Sequence, residues 1–209
     1  MKFLLFFLTI FVFFNSCTSQ KKEITDEELI TLNNFKIDKQ KINDSVIKIN
    51  ARKENYVFSG IQNKNGKEGW WKLYNDSDKK LIAEIQYLPD GKYDYPNQII
   101  KYKNGKIDFS KSKFYKKRIK DNRIIYKVFY PSENNDQKQD LTFYYYINSK
   151  PKEYKKAEVT KEDNYYTFNV DCNEVKNLIG IFTISTDSKN YIMKEAKMKI
   201  DDTLNNACR

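Results

Sequence analysis

The 209-residue chain contains no histidine. That absence excludes Ser-His-Asp and Cys-His nucleophile arrangements, which use imidazole as their base, and every zinc site built on imidazole. Cysteine is scarce, limited to Cys17, Cys172 and Cys208. Arginine is scarcer than the charge suggests, because 34 of the 38 basic residues are lysine. Nucleic-acid readers depend on arginine for bidentate contacts, so no nucleic-acid partner is expected. The net charge of +10 reads instead as a solvated lysine surface that favours solubility. Weak attraction to anionic glycans or lipids is the alternative. Removing residues 1–16 would take away Lys2 and no acid, leaving +9.

Long apolar runs are missing too, with one exception. Lys2 is followed by an apolar stretch from Phe3 to Phe14, 12 residues long, then Asn15, Ser16 and Cys17. A bilayer-spanning helix needs roughly 20 apolar residues, and the residues that follow, TSQKKEITDEE, are polar. A positive start, a short apolar core and a small residue before a break are the anatomy of a secretory signal. Phe14-Asn15-Ser16-Cys17 resembles a loose lipobox, the bacterial lipoprotein signal, with Phe14 and Asn15 in place of the usual Leu and Ala or Ser. The resemblance implies cleavage before Cys17 and acylation of its thiol, hence a protein anchored by lipid to a bacterial membrane of the cell envelope, the outer membrane being the expected one. The other reading is a plain secreted protein with an incidental cysteine. In an oxidising compartment Cys172 and Cys208 are a candidate disulfide. Against it, Cys172 lies in a strand-like stretch where a buried thiol is ordinary.

Residues 17–35 read as a polar tether, within which ITDEELITLNNF offers Thr25 and Glu28 for a capped helical turn. Residues 36–111 read as a β-hairpin domain. SVIKINA and NYVFSG alternate apolar and polar residues, and Asn65-Gly66, Asp90-Gly91 and Asn104-Gly105 are the strongest short hairpin signals. Leu81, Ala83, Ile85 and Tyr87 alternate with Ile82, Glu84 and Gln86. Trp71 and Leu73 fall on one strand face, with Trp70, Lys72 and Tyr74 on the other. Gly69, Trp71 and Tyr74, then Tyr87 with Gly91-Lys92, then Tyr102 with Gly105-Lys106, resemble the MORN-type repeat in its antitoxin-like bacterial variant. That resemblance implies stacked hairpins serving as a scaffold or binding sheet, and supplies no enzymatic activity.

Residues 112–209 hold about seven short β-prone runs some dozen residues apart: SKFYKKRI, NRIIYKVFYPS, DLTFYYYIN, KAEVTKED, NYYTFNVDC, LIGIFTIST and NYIMKEAKMKID. This spacing suggests an antiparallel sandwich of immunoglobulin-like architecture. The expected fold is therefore all-β, an antiparallel hairpin-repeat sheet (MORN-like) followed by an Ig-like β-sandwich.

Acids are plentiful, but none form a persuasive catalytic pair. Asp90 and Asp94 flank a turn, Asp136 and Asp140 sit in a polar loop, and Asp201-Asp202 close a strand. A glycosidase needs two carboxylates facing each other across substrate, which loop spacing cannot supply. Asn134, Asn135, Asp136 and Asp140 lack the order of a calcium loop. No catalytic residue, metal site or cofactor is expected. The aromatics are the candidate binding material: Trp70 and Tyr74 in the hairpin domain, Tyr144 and Tyr146 in the sandwich, able to stack on sugars or line an interface. The expectation is a non-enzymatic binding or scaffold module for a protein or glycan partner. The alternatives are an immunity-type protein that neutralises a toxin and a carboxylate-based hydrolase.

Overall fold

The computed structural model describes residues 24–88, 95–131, 139–147, 155–172, 177–186 and 198–203. Cys17, Cys208, the turn at Asp90-Gly91, and Asp94, Asn134, Asn135 and Asp136 lie outside them. Contacts divide the chain into two units, residues 1–33 and 34–209. In the first, helix α1 (Asp26–Thr31) starts on the expected capping box. The Thr25 hydroxyl accepts from the Glu28 amide at 3.2 Å, and the Glu28 carboxylate accepts from the Thr25 amide at 3.1 Å. Asp26, Glu27 and Glu28 in the first turn complement the helix dipole, and Leu32 in the left-handed region ends the helix.

The second unit begins with a seven-stranded antiparallel meander in which each strand neighbours the next in sequence: β1 (Lys36–Lys41), β2 (Val46–Lys53), β3 (Tyr56–Asn63), β4 (Gly66–Asn75), β5 (Leu81–Tyr87), β6 (Pro96–Lys103) and β7 (Lys106–Ile107). Asn104 and Gly105 both take positive φ between paired Lys103 and Lys106, the geometry a two-residue type I′ turn requires. Strand β1, KIDKQK, is exposed at every position. It shows no apolar alternation and is recognisable only from its pairing with β2. Its lysines discourage further edge pairing.

Two-residue alternation decides which face is buried. Ile49, Ala51, Phe58, Trp71, Leu73, Ala83, Ile85 and Tyr87 are all buried. Trp71 packs between Phe58 and Tyr87, with ring centroids 5.1 and 6.0 Å away. The Lys67 ammonium, itself buried, lies 5.6 Å from the Trp71 ring centre and 5.1 Å from that of Tyr87. Register shifts occur in three successive pairings, at Ser59/Ile61, Leu73/Tyr74 and Gln86/Tyr87, and such bulges bend strands and increase twist. The first makes room for Trp71. A Cβ on Gly60 would overlap the indole, whose Nε1–H donates to the Ile61 carbonyl at 3.0 Å.

The rest of the unit is sandwich-like: β8 (Phe114–Lys120), β9 (Arg123–Phe129), β10 (Gln139–Ile147), β11 (Lys155–Ala157), β12 (Thr160–Lys161), β13 (Tyr166–Asp171), β14 (Asn177–Thr186) and β15 (Met198–Thr203). They form two four-stranded sheets, β12-β13-β9-β8 and β11-β10-β14-β15. Ile124, Tyr126, Val128, Phe168 and Val170 of one sheet share a core with Phe143, Leu178, Phe182, Met198 and Ile200 of the other. Phe143 and Phe168 meet across it, 4.2 Å between centroids. Gly180 repeats the device of Gly60, since a Cβ there would overlap the Phe143 ring. The run KAEVTKED, expected as one strand, becomes two, because β11 and β12 belong to different sheets and the chain crosses between them at Glu158-Val159.

Backbone and amide side chains join the meander to the sandwich. Ile99 of β6 and Lys113 exchange two backbone hydrogen bonds of 2.7 Å. The Ser112 hydroxyl, fully buried, accepts from the Lys101 amide at 2.9 Å and donates to the Asp108 carbonyl at 2.6 Å. The Asn97 amide donates to the Lys199 carbonyl at 2.9 Å and its oxygen accepts from the Lys199 amide at 2.7 Å. This stands in for a strand neighbour along β15.

Gly60→Ala is expected to destabilise the protein by about 1–3 kcal/mol, because overpacking forces the Trp71 ring out of its seat. A lowered urea midpoint, accompanied by a change in tryptophan emission, measures it.

Candidate functional site

The face of the meander opposite the buried ring row carries the site. Trp70 and Tyr74 sit on β4 with Lys72 between them. Trp71 and Leu73 are buried on the other face, while Trp70 remains 40% exposed. The register sets Trp70 opposite Gln86 and Lys72 opposite Glu84. Glu84 is in turn opposite Ile100 and Gln86 opposite Gln98, which brings Tyr102 to the same face.

These side chains bond across three strands. The Glu84 carboxylate takes the Lys72 ammonium on Oε1 at 3.2 Å and the Tyr102 hydroxyl on Oε2 at 2.6 Å. Burial, followed by the hydrogen bond and the negative charge of Glu84, pushes the Tyr102 phenol up to about 12. It is therefore a neutral donor at any physiological pH. One step along, the Gln86 oxygen accepts from Gln98 at 2.6 Å and from Asn97 at 3.0 Å. The Gln98 oxygen accepts from the Tyr115 amide at 2.9 Å, carrying the ladder to the start of β8.

At one end of the ladder a cavity of about 410 Å³ is lined by Asn75, Asp78, Lys80, Ile82, Tyr102 and Asn104, among others. That volume falls within the range of small-ligand clefts. The turn beside it is tied by its own side chains. Asn75 accepts from the Ser77 amide at 3.0 Å, and Lys80 pairs with Asp78 at 2.9 Å. The Lys80 side chain, then its backbone amide, holds Asp78 below the ordinary carboxylate value. The arrangement supplies fixed donors and acceptors beside an exposed indole.

The second aromatic pair lies on β10. Tyr144 is 43% exposed and Tyr146 partly buried, opposite Ile181 and Ile179 of β14. Phe143 between them and the core belongs to the opposite face. The two pairs are not adjacent. They are linked by a chain of pairings, Trp70 to Gln86, Gln86 to Asn97, Asn97 to Lys199, Lys199 to Ile181 and Ile181 to Tyr144. Cys172 follows β13, is buried, and is disulfide-bonded. Its partner lies outside the described residues. Among the described residues, no group of three or more acids and cysteines is placed to hold a metal.

Lys72, Glu84 and Tyr102 were not legible as a set from sequence. Alternation places Lys72 and Glu84 on outward positions, but only the register brings them to one another. Comparison with family models, curated proteins and solved structures found no match.

The Tyr102 phenol is expected to ionise with a midpoint near 12, followed as 295 nm absorbance lost in Tyr102→Phe. Because the folded value is raised, the stability it contributes is full below pH about 10, the value for a free phenol, and falls as pH rises through 12. Glu84→Gln should bring the midpoint down.

Proposed function

We propose that the protein is a lipid-anchored envelope protein that acts as a non-enzymatic binding or scaffold module for a protein or glycan. The observation that carries the reading is Cys17 closing a 12-residue apolar run behind Lys2. Several acyl chains, each CH₂ buried for about 0.8 kcal/mol, anchor durably where one chain does not. The ladder around Glu84 supports the binding half. Its polar groups are held rigidly and Trp70 is left exposed beside them, the kind of anchor that dominates interfaces and sugar platforms.

The finer fold assignments belong to the same proposal. The orders β8-β9-β13-β12 and β11-β10-β14-β15 parallel the A-B-E-D and C′-C-F-G sheets of immunoglobulin-type sandwiches, supporting an Ig-like second half. The MORN-like reading of the first half draws support from the meander and the Gly60–Trp71 contact. The repeat tyrosines are less regular than a strict repeat requires, since Tyr87 is buried with Trp71 while Tyr102 bonds Glu84 on the other face. We assign Cys208 as the disulfide partner of Cys172, which leaves Cys17 for acylation.

Metabolic labelling with a fatty-acid probe tests the anchor: label on the wild type that vanishes in Cys17→Ala is expected, and an unlabelled wild type refutes it. Trp70→Ala tests the binding face. It is expected to weaken partner capture from envelope extracts by about tenfold or more, the loss typical of a buried aromatic anchor, with the urea midpoint unchanged.

A further inference from the structure

A second surface, on the sandwich, is built differently. Strands β8 and β9 pair Phe114 with Phe129, Lys116 with Lys127, Arg118 with Ile125 and Lys120 with Arg123. Tyr126, Val128 and Ile124 point into the core, so these four pairs share the outward face. It carries five cations, Lys116, Arg118, Lys120, Arg123 and Lys127, on two adjacent strands. The nearby acids are Asp121 in the turn and Asp171, which pairs with Arg123 in register. Only four arginines occur in the chain, and two of them stand here. Neither Arg118 nor Arg123 is in an ion pair among the described residues.

One end of this face is aromatic. Phe114 and Phe129 stack at 4.6 Å, and Phe109, 46% exposed, leans on both at 6.1 and 5.1 Å. Tyr165 packs on Phe129 at 5.5 Å, and two of the cations lie over these rings. The Lys116 ammonium is 5.7 Å from the Phe114 centroid and 5.9 Å from that of Phe129, and Lys127 is 4.2 Å from that of Tyr165. An open sheet face that combines clustered cations with an exposed ring at its rim matches a broad anionic surface with an apolar interior. Arginine suits phosphate because its guanidinium forms two parallel hydrogen bonds to it.

We propose that the outward face of β8 and β9 docks on the anionic phospholipid surface of the membrane, with Arg118 and Arg123 on headgroup phosphates and Phe109 at the interface. This rests on the reading of Cys17 as a lipid anchor. An anchored chain meets the bilayer at high effective concentration, so a face of modest affinity on its own is enough to set the orientation of the body. The Trp70 surface, on a different sheet, is left for the partner.

The test uses the chain from residue 18 onward, without acyl group, which keeps every described residue. It is sedimented with vesicles of phosphatidylcholine alone or mixed with phosphatidylglycerol. The expected result is pelleting with the mixed vesicles only, weakened by salt because the contacts are exposed. Arg118→Glu with Arg123→Glu should lower the partition at least about tenfold, given roughly a tenfold change for every one to two basic residues at such a surface. Arg118→Gln with Arg123→Gln should lower it less. Lys36→Glu with Lys39→Glu, the same charge change on β1, should leave it within about twofold. Equal loss in the β1 variant would mean net charge alone is read and would overturn the proposal. So would equal pelleting with both vesicle types, or no pelleting of the wild type. Binding to heparin beads that the arginine variants abolish, without vesicle binding, would reassign the face to a soluble polyanion. Because this chain has no lipid, failure here beside positive fatty-acid labelling removes the docking face and leaves the anchor standing. Vesicle binding beside absent labelling does the reverse.

Discussion

Trp71 occupies the space a side chain on Gly60 would need, and the rest of the meander follows from that contact. Seating a ring over a neighbouring strand requires a glycine beneath it, and at Gly60 a register shift between Ser59 and Ile61 accompanies it. Once the indole is fixed, Phe58 and Tyr87 close on it and Leu73, Ala83 and Ile85 follow on the same face by alternation. Sliding β4 by one residue would exchange Trp71 for Trp70 and turn every apolar side chain outward. The contact between Gly180 and Phe143 plays the corresponding part in the sandwich, where Phe143 is the ring on which Phe168 and Phe182 converge.

The same constraint produces the candidate site. With Trp71 inward, Trp70 and Lys72 must face outward, and the register delivers Lys72 to Glu84 and Glu84 to Tyr102. The outer face is thus a by-product of core packing, with Lys72, Glu84 and Tyr102 bonded to one another at positions the core has already chosen. Polar networks whose members are all bonded are rigid, and rigidity lowers the entropy lost when a partner binds. Gln86, Asn97 and Gln98 extend this order to the edge strand of the sandwich, so the outer face of the meander and the second half of the protein share one hydrogen-bonded seam.

The two halves divide the surface by chemistry. The meander offers an indole, amides and paired charges, suited to a directional partner. The β8–β9 face offers clustered cations over aromatic rings, suited to diffuse negative charge.

Local pattern carried much of this. Alternation separated Trp71 from Trp70 and Phe143 from Tyr144. The capping box at Thr25 and Glu28 and the turn at Asn104-Gly105 formed as their residues dictate. Where the local signal was weak, sequence was silent: β1 has no apolar face, and Asp121-Asn122 adopts two positive φ angles without glycine. KAEVTKED reads as one strand because its composition does not change where the chain crosses from sheet to sheet. By itself, then, the sequence determined the all-β class, most strand positions and which side of each strand turns inward, because these depend on neighbours two residues apart. Tertiary structure alone decided that Glu84 holds Lys72 and Tyr102, that Asn97 completes the edge at Lys199, and that two of four arginines share one face. These depend on register and strand order, set by contacts between residues as many as 102 positions apart.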